Sequence, residues 1–177
     1  MMEIGFDLPS SEKAVQLAER FDWVHAAVGS HPDDAEQVNE ARIAVYRGLC
    51  RNPCVKAIGE IGLDYHYEEP GREVQKRAFR MQLALAQELS MPVVIHEREA
   101  HEDGLRILEE FPTIRGVFHC FAGSVEMARE LVVPWSRAAM YVSMNAASSG
   151  VCDGSVVSST QKAGILRLMA HSIAQRG

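Results

Sequence analysis

A carboxylate set inside an apolar, glycine-framed run constrains this chain more than any other feature. From Val55 to His66 the sequence reads Val-Lys-Ala-Ile-Gly-Glu-Ile-Gly-Leu-Asp-Tyr-His. Val55, Ala57, Ile58 and Ile61 predict a strand over 55–61 that is buried on both faces, the kind found in parallel sheets. Glu60 then lies at the C-terminal end of that strand, framed by Gly59 and Gly62. An ionised carboxylate there is costly unless something positive meets it. A Lys or Arg could do this, and so could a metal ion. Two later strands run into histidine, at His96 and His119, which points to the metal.

The rest of the chain repeats one rhythm. Met2 to Phe6 predicts a strand stopped by Asp7 and Pro9. Ser10 then caps a helix over 11–21 whose Ala14, Leu17, Ala18 and Phe21 make one stripe. A strand over 24–28 delivers Gly29-Ser30-His31-Pro32-Asp33. Asp33 or Asp34 starts a helix with Val38, Ala41, Val45 and Leu49 on its apolar side. A long helix over 73–89 follows, with Val74, Ala78, Met81, Leu85 and Leu89 on one face. Val93-Val94-Ile95 leads to His96, Leu105 and Leu108 mark the next helix, and Gly116-Val117-Phe118 leads to His119. Ser124 caps a helix over 125–132, and a last strand lies at 140–143.

Alternating strands and helices with buried strands predict a parallel sheet with right-handed crossovers. In a parallel barrel the C-terminal strand ends converge on one mouth, where active sites lie. About six strands are counted where a closed barrel has eight. Residues 1–132 are therefore expected to form a partial (β/α) barrel. Residues 133–177 are expected to be a divergent tail of low order rather than a separate domain. Within that tail 144–160 lacks a period, and Ile165, Leu168 and Met169 restore a short helical pattern.

Composition narrows the function classes. With 177 residues and 47% hydrophobic content, the chain is one globular domain or a large part of one. A net charge of −6 argues against a broad basic surface for duplex nucleic acid, though not against a cleft taking one strand end. Cys50, Cys54, Cys120 and Cys152 show neither metal-binding spacing nor disulfide density, so reduced thiols in a cytoplasmic protein are the simpler reading. Cys120 reads as a small buried apolar residue. No signal peptide is visible, and no apolar run approaches the ~18 residues of a membrane span.

Ala57-Ile58-Gly59-Glu60-Ile61-Gly62-Leu63-Asp64-Tyr65 resembles the signature of the TatD family of metal-dependent deoxyribonucleases. Pro92-Val93-Val94-Ile95-His96-Glu97-Arg98 resembles its second signature, and Gly116 to Ser124 its third. Gly29-Ser30-His31-Pro32 is similar to a further family segment, in which a second His usually stands where this chain has Asp33. Gln75, Phe79, Gln82 and Leu83 match the helix after the first signature. The resemblance covers about residues 3–132.

It implies an α/β fold, an incomplete TIM-like (β/α) barrel of the metal-dependent hydrolase type, with phosphodiester hydrolysis as the activity. It also implies one or two divalent ions, Mg²⁺, Mn²⁺ or Zn²⁺; by ligand chemistry, mixed imidazole and carboxylate donors suit Zn²⁺, Mn²⁺ or iron better than Mg²⁺. Glu60 matches the catalytic carboxylate that binds or bridges metal, and His96 and His119 match the histidine ligands. His31 matches a catalytic His near the substrate phosphate.

Arg98 could grip a phosphate through its planar fork, or pair with Glu97, Glu99 or Glu102. Asp64 reads as a loop-orienting residue rather than a ligand. His66, Tyr65 and Tyr67 could stack on a base, or be ordinary exposed loop residues.

The chain also departs from the family pattern. Many members carry a His-x-His pair on an additional first strand, whereas Glu3-Ile4-Gly5 matches the second. The family closes its site with an Asp in a Glu-Thr-Asp segment, which the Cys-Asp-Gly context of Asp153 does not match. The expected function is cleavage of DNA, at single-stranded or frayed ends, with impaired activity. The alternative is a catalytically inactive partial barrel that acts by oligomerising with itself or with a partner, its open sheet edges inviting pairing. A small-molecule amidohydrolase on a related barrel is a third reading.

Overall fold

The computed structural model describes residues 1–121 and the backbone of 140–144. Six strands follow one another as β1 (Met2–Ile4), β2 (His25–Val28), β3 (Val55–Asp64), β4 (Val93–Arg98), β5 (Gly116–Phe121) and β6 (Met140–Met144). Each pairs in parallel with the next, in the order β1-β2-β3-β4-β5-β6. Sequential order without a reversal is the winding of a (β/α) barrel, not of an open doubly wound sheet. The incomplete TIM-like barrel expected from the sequence is therefore the observed class.

Four helices, α1 (Leu8–Ala18), α2 (Glu40–Leu49), α3 (Arg72–Leu89) and α4 (His101–Glu109), pack on one face of this sheet. Val15, Ile43, Tyr46, Phe79, Leu83, Ile107 and Leu108 join Ile58, Ile61, Leu63, Val93, Ile95 and Phe118 in one core. The other face carries a smaller cluster of Ala27, Ala57 and Val94, flanked by Met2, Ile4 and Val117. Small residues suit a concave surface that curls on itself.

Local sequence moved several boundaries. α1 starts before Ser10, because Asp7 is the N-cap and Ser10 sits three residues in. Ser10 N–H donates to Asp7 Oδ1 at 2.7 Å, and Asp7 N–H donates to Ser10 Oγ at 3.0 Å, a reciprocal capping box. Phe21 lies beyond that helix and is exposed. The helix expected from Asp33 or Asp34 is two elements: a 3₁₀ turn over Pro32–Gln37, then α2 capped by Asn39. The break re-phases the apolar stripe, so that Ile43 and Tyr46 are buried while Ala41 and Val45 face outward. On α3 the deepest residues are Gln75, Ala78, Phe79, Gln82, Leu83, Leu85 and Ala86, not Val74, Met81 and Leu89, which pack only at its margin.

The strand expected at 140–143 is present as β6. The helix expected over 125–132, the tail beyond 144, Asp153 and His171 lie outside the described residues. Among those described, no helix is long and apolar enough to cross a membrane.

Candidate metal centre

The site forms where β3, β4 and β5 end, and an irregularity in the sheet aims Glu60 into it. Val93 and Ile95 on β4 pair with Ile58 and Ile61 on β3, so β3 carries one extra residue between them. Ala57 faces the concave side and Ile58 the helices. Strict alternation from there would turn Glu60 toward the helices. The bulge returns it to the concave side, a common use of bulges beside active sites. A register shift also falls on β5, between Phe118 and Phe121. Neither His96 nor His119 needs such a correction, because each lies two residues beyond a residue of the concave face, Val94 or Val117.

Glu60 Oε1 lies 3.4 Å from His96 Nδ1 and 3.4 Å from His119 Nδ1. That is long for a charge-assisted hydrogen bond. It equals the spacing of about 3.4 Å between two ligand atoms held about 2.0–2.1 Å from one tetrahedral ion. Ligand atoms of His31, Glu60 and His96 all lie within 4.8 Å of one another. The donor set therefore fits a divalent ion by spacing and by type.

The grouping differs in one respect from the expected Glu60, His96 and His119. His119 reaches Glu60, but His31 completes the mutually close trio, its ring centroid 4.2 Å from that of His96 in an edge-on arrangement. His31 arrives there from the end of β2 as the residue capping the 3₁₀ turn.

The electrostatics follow from the packing. Burial pushes the Glu60 carboxyl up, but hydrogen bonds and charge from His119 and His96 outweigh it and hold it at about 2. Burial lowers His96, yet its bonds to Glu60 and Asp64 prevail and raise it. His119 is raised first by its bond to Glu60, against burial. His31 is lowered, by burial and then by the neighbouring His96 charge. The centre without an ion is thus one carboxylate flanked by two imidazoles that attract protons.

Asp64 was expected only to orient its loop, and it does so by accepting from His66 N–H at 2.9 Å. Its other oxygen, Oδ2, lies 2.8 Å from His96 Nε2. A carboxylate on the far nitrogen of a ligating histidine fixes its tautomer and raises its basicity. The signal was present in the sequence: after the bulge, Glu60, Gly62 and Asp64 alternate onto one face. Gly62 has φ +147, and a side chain there would collide with the His96 carbonyl.

Arg98 is exposed at the same mouth, its guanidinium 5.7 Å from the Tyr67 ring centroid. The carboxylates near it in sequence have other bonds: Glu97 accepts from Ala100 N–H, Glu99 meets His66, and Glu102 meets Arg106. Tyr65 is not an open stacking surface. Its hydroxyl donates to Asp103 at 2.7 Å and Arg72 covers its ring. Tyr67 is the exposed aromatic, 58% accessible, with His66 edge-on to it at 4.9 Å. Cys120 is exposed rather than buried, with Sγ 3.5 Å from His119 Nε2. The Cys120 backbone is left-handed there, with φ 51, inside the β5 irregularity.

A family profile described as TatD related DNase matches residues 1–151. The chain belongs to the TatD-related DNase family. The match runs past residue 132, where the motifs legible in the sequence end. An uncharacterized metal-dependent hydrolase, YabD of Bacillus subtilis, is 43% identical over 129 residues, covering 72% of this chain and 51% of the relative. A Citrobacter koseri protein described as 3'-5' ssDNA/RNA exonuclease TatD is 38% identical, over 75% of this chain and 52% of its own length. The chain thus spans about half the length of these curated relatives.

Among solved structures, the TatD homologue YJJV of Escherichia coli K12 superposes with a TM-score of 0.69 at 26% identity, covering 80% of this chain and 54% of that one. A TatD family hydrolase from Entamoeba histolytica gives 0.71 at 23% identity, covering 81% of this chain and 50% of that one, a likeness of fold. Family membership accords with the metal-competent trio already described.

Proposed function

We propose that this chain carries the metal-binding part of a hydrolase that cleaves phosphodiester bonds at single-stranded or frayed DNA ends. The observation that carries this reading is Glu60 Oε1 standing 3.4 Å from both His96 Nδ1 and His119 Nδ1, with His31 inside the same group. The exonuclease description of the Citrobacter relative supports the substrate class.

Glu60, His96 and His119 would hold the ion, which supplies a more acidic bound water and neutralises charge on phosphoryl oxygens. Asp64 keeps the His96 ring turned so that Nδ1 faces Glu60. His31 Nδ1 lies 3.3 Å from both the amide nitrogen and Oδ2 of Asp33, and burial with the neighbouring His96 charge lowers its pKa. The ring nitrogen that does not meet Asp33 is the one that would face a phosphate oxygen. Arg98 offers a fork to a second phosphate, and Tyr67 a face on which a base can stack.

The test is purified protein with a single-stranded oligonucleotide, with and without Mn²⁺ or Zn²⁺. The expected result is slow, EDTA-sensitive cleavage that Glu60→Ala abolishes. A metal-loaded chain that leaves the strand intact would overturn the enzymatic reading of this chain. That outcome would favour the second reading, a partial barrel acting through a partner. The second reading has its own support, since among the described residues β1 pairs along one edge only. Light scattering separates the two, because a concentration-independent monomer contradicts assembly through that edge.

A further inference from the structure

Two glutamines lie in the most buried line of α3. Gln75 and Gln82 are each 1% accessible. Seven residues is nearly two helical turns, so both point the same way about 10.5 Å apart along the axis. A primary amide in an apolar core costs free energy unless each of its polar atoms is paired. The oxygen and the nitrogen of each amide have a partner, in both cases the backbone at a strand end.

Gln82 Oε1 accepts from Ser30 N–H at 2.8 Å while its Nε2 donates to the Ser30 carbonyl at 3.0 Å. Gln75 Oε1 accepts from Asp64 N–H at 2.9 Å, and its Nε2 donates to the carbonyls of Asp64 at 2.8 Å and Pro70 at 2.7 Å. Each side chain imitates a neighbouring strand at the point where β2 or β3 ends.

The residues so held are not arbitrary. Ser30 directly precedes His31, and Asp64 holds His96 through Nε2. Ser30 is fixed from its other side as well, its hydroxyl 2.7 Å from Asp34 Oδ2 and 2.7 Å from Tyr46 Oη. A methionine or leucine could fill either position by volume. Only an amide sets the height and rotation of the backbone it grips, because two antiparallel hydrogen bonds define both.

We propose that Gln75 and Gln82 are positioning residues of the metal centre. Together they set the loops after β2 and β3 so that His31 and, through Asp64, His96 converge on Glu60. This rests on the metal-centre reading above and adds to it the device that aligns ligands drawn from separate strands. A buried glutamine kept only for stability would lower unfolding temperature when lost, and nothing else. A positioning glutamine also lowers metal affinity in molecules that remain folded.

The experiment measures Zn²⁺ affinity by calorimetry on the full chain, at a temperature where every variant is folded. Gln82→Met and Gln75→Met keep side-chain volume and remove the paired amide. Each should weaken Zn²⁺ binding at least ~10-fold, the loss typical of removing a group that orients a ligand. Phe79→Leu, buried on the same helix face but making none of these hydrogen bonds, should cost stability yet bind within about twofold of wild type.

Wild-type protein supplies a second measurement should a Met variant fail to fold. Coupling between sites is reciprocal, so Zn²⁺ should slow hydrogen exchange at the Ser30 and Asp64 amides more than at Ile107 in α4. Zn²⁺ binding by the Met variants equal to wild type, or uniform slowing across all three amides, overturns the inference alone. A wild type that takes up no Zn²⁺ overturns the metal-centre reading and this inference with it.

Discussion

On the face of the sheet that meets the helices, the strands carry Ile58, Ile61, Leu63, Val93, Ile95 and Phe118, all nearly inaccessible. On the concave face they carry Ala27, Ala57 and Val94, and then Glu60, His96 and His119 toward their C-terminal ends. Neighbouring residues of one strand therefore serve different ends. The helix face buries large branched side chains, whose transfer from water is the main favourable contribution to folding. The concave face buries little bulk and gathers groups whose charges are only partly matched. Stability and chemistry are thus separated by the alternation of the strand, and each can be perturbed without the other.

The largest expected effect breaks the concave side alone. Glu60→Ala should abolish metal uptake, as should His119→Ala. His101→Ala and His171→Ala should leave uptake intact. Metal content after dialysis reads the result, and equal uptake by wild type and the Glu60→Ala, His119→Ala double variant would refute the site.

The mirror-image change is Leu63→Ala. Leu63 is 0% accessible on the helix face, so the cavity should cost about 2–5 kcal/mol in denaturant unfolding. Zn²⁺ affinity of the folded fraction should stay within about threefold of wild type. A large affinity loss there would show that the two faces are not independent.

A pH series sharpens the same contrast. His96 and His119 are raised above 6.5 in the metal-free protein, chiefly by Glu60 acting against burial for His96 and ahead of it for His119. A raised imidazole holds its proton at higher pH, and an ion must displace that proton to bind. Zn²⁺ affinity should therefore fall as pH drops and keep climbing as pH rises past 6.5, rather than levelling there. A plateau reached by pH 6 would contradict the assignment.

The smallest effect is expected where neither face is touched. Arg80 and Glu110 pair in solvent at the outside of the helices. Glu110→Gln should cost about 0–1 kcal/mol and leave metal binding unchanged.

Much of this architecture was legible in the residues. The run around Glu60, and the histidines ending β4 and β5, could be read because strands buried on both sides are nearly pure apolar segments. A polar residue at their end stands out against them. The βα rhythm placed the six strands of the described residues, and the signature motifs placed the family.

Features that depend on phase were not legible. The apolar stripe of α2 was misread because a 3₁₀ turn interrupts the helical period before it, and no count along the chain reveals a change of pitch. The roles of Gln75 and Gln82 were hidden because a buried amide is defined by the backbone it meets, here 11 and 52 residues away.

What the sequence determined by itself is therefore composition by segment: which stretches are buried, in what order, and which polar groups end them. The tertiary structure decided direction. Counted from Ala57, Glu60 belongs with the helices, and only the extra residue accommodated between β3 and β4 turns it toward His96 and His119. His31 likewise enters the centre because the turn after β2 folds it against His96, a contact between strand ends that no local pattern encodes. Side-chain periodicity is a local property of the backbone, whereas a bulge exists only in relation to the strand beside it.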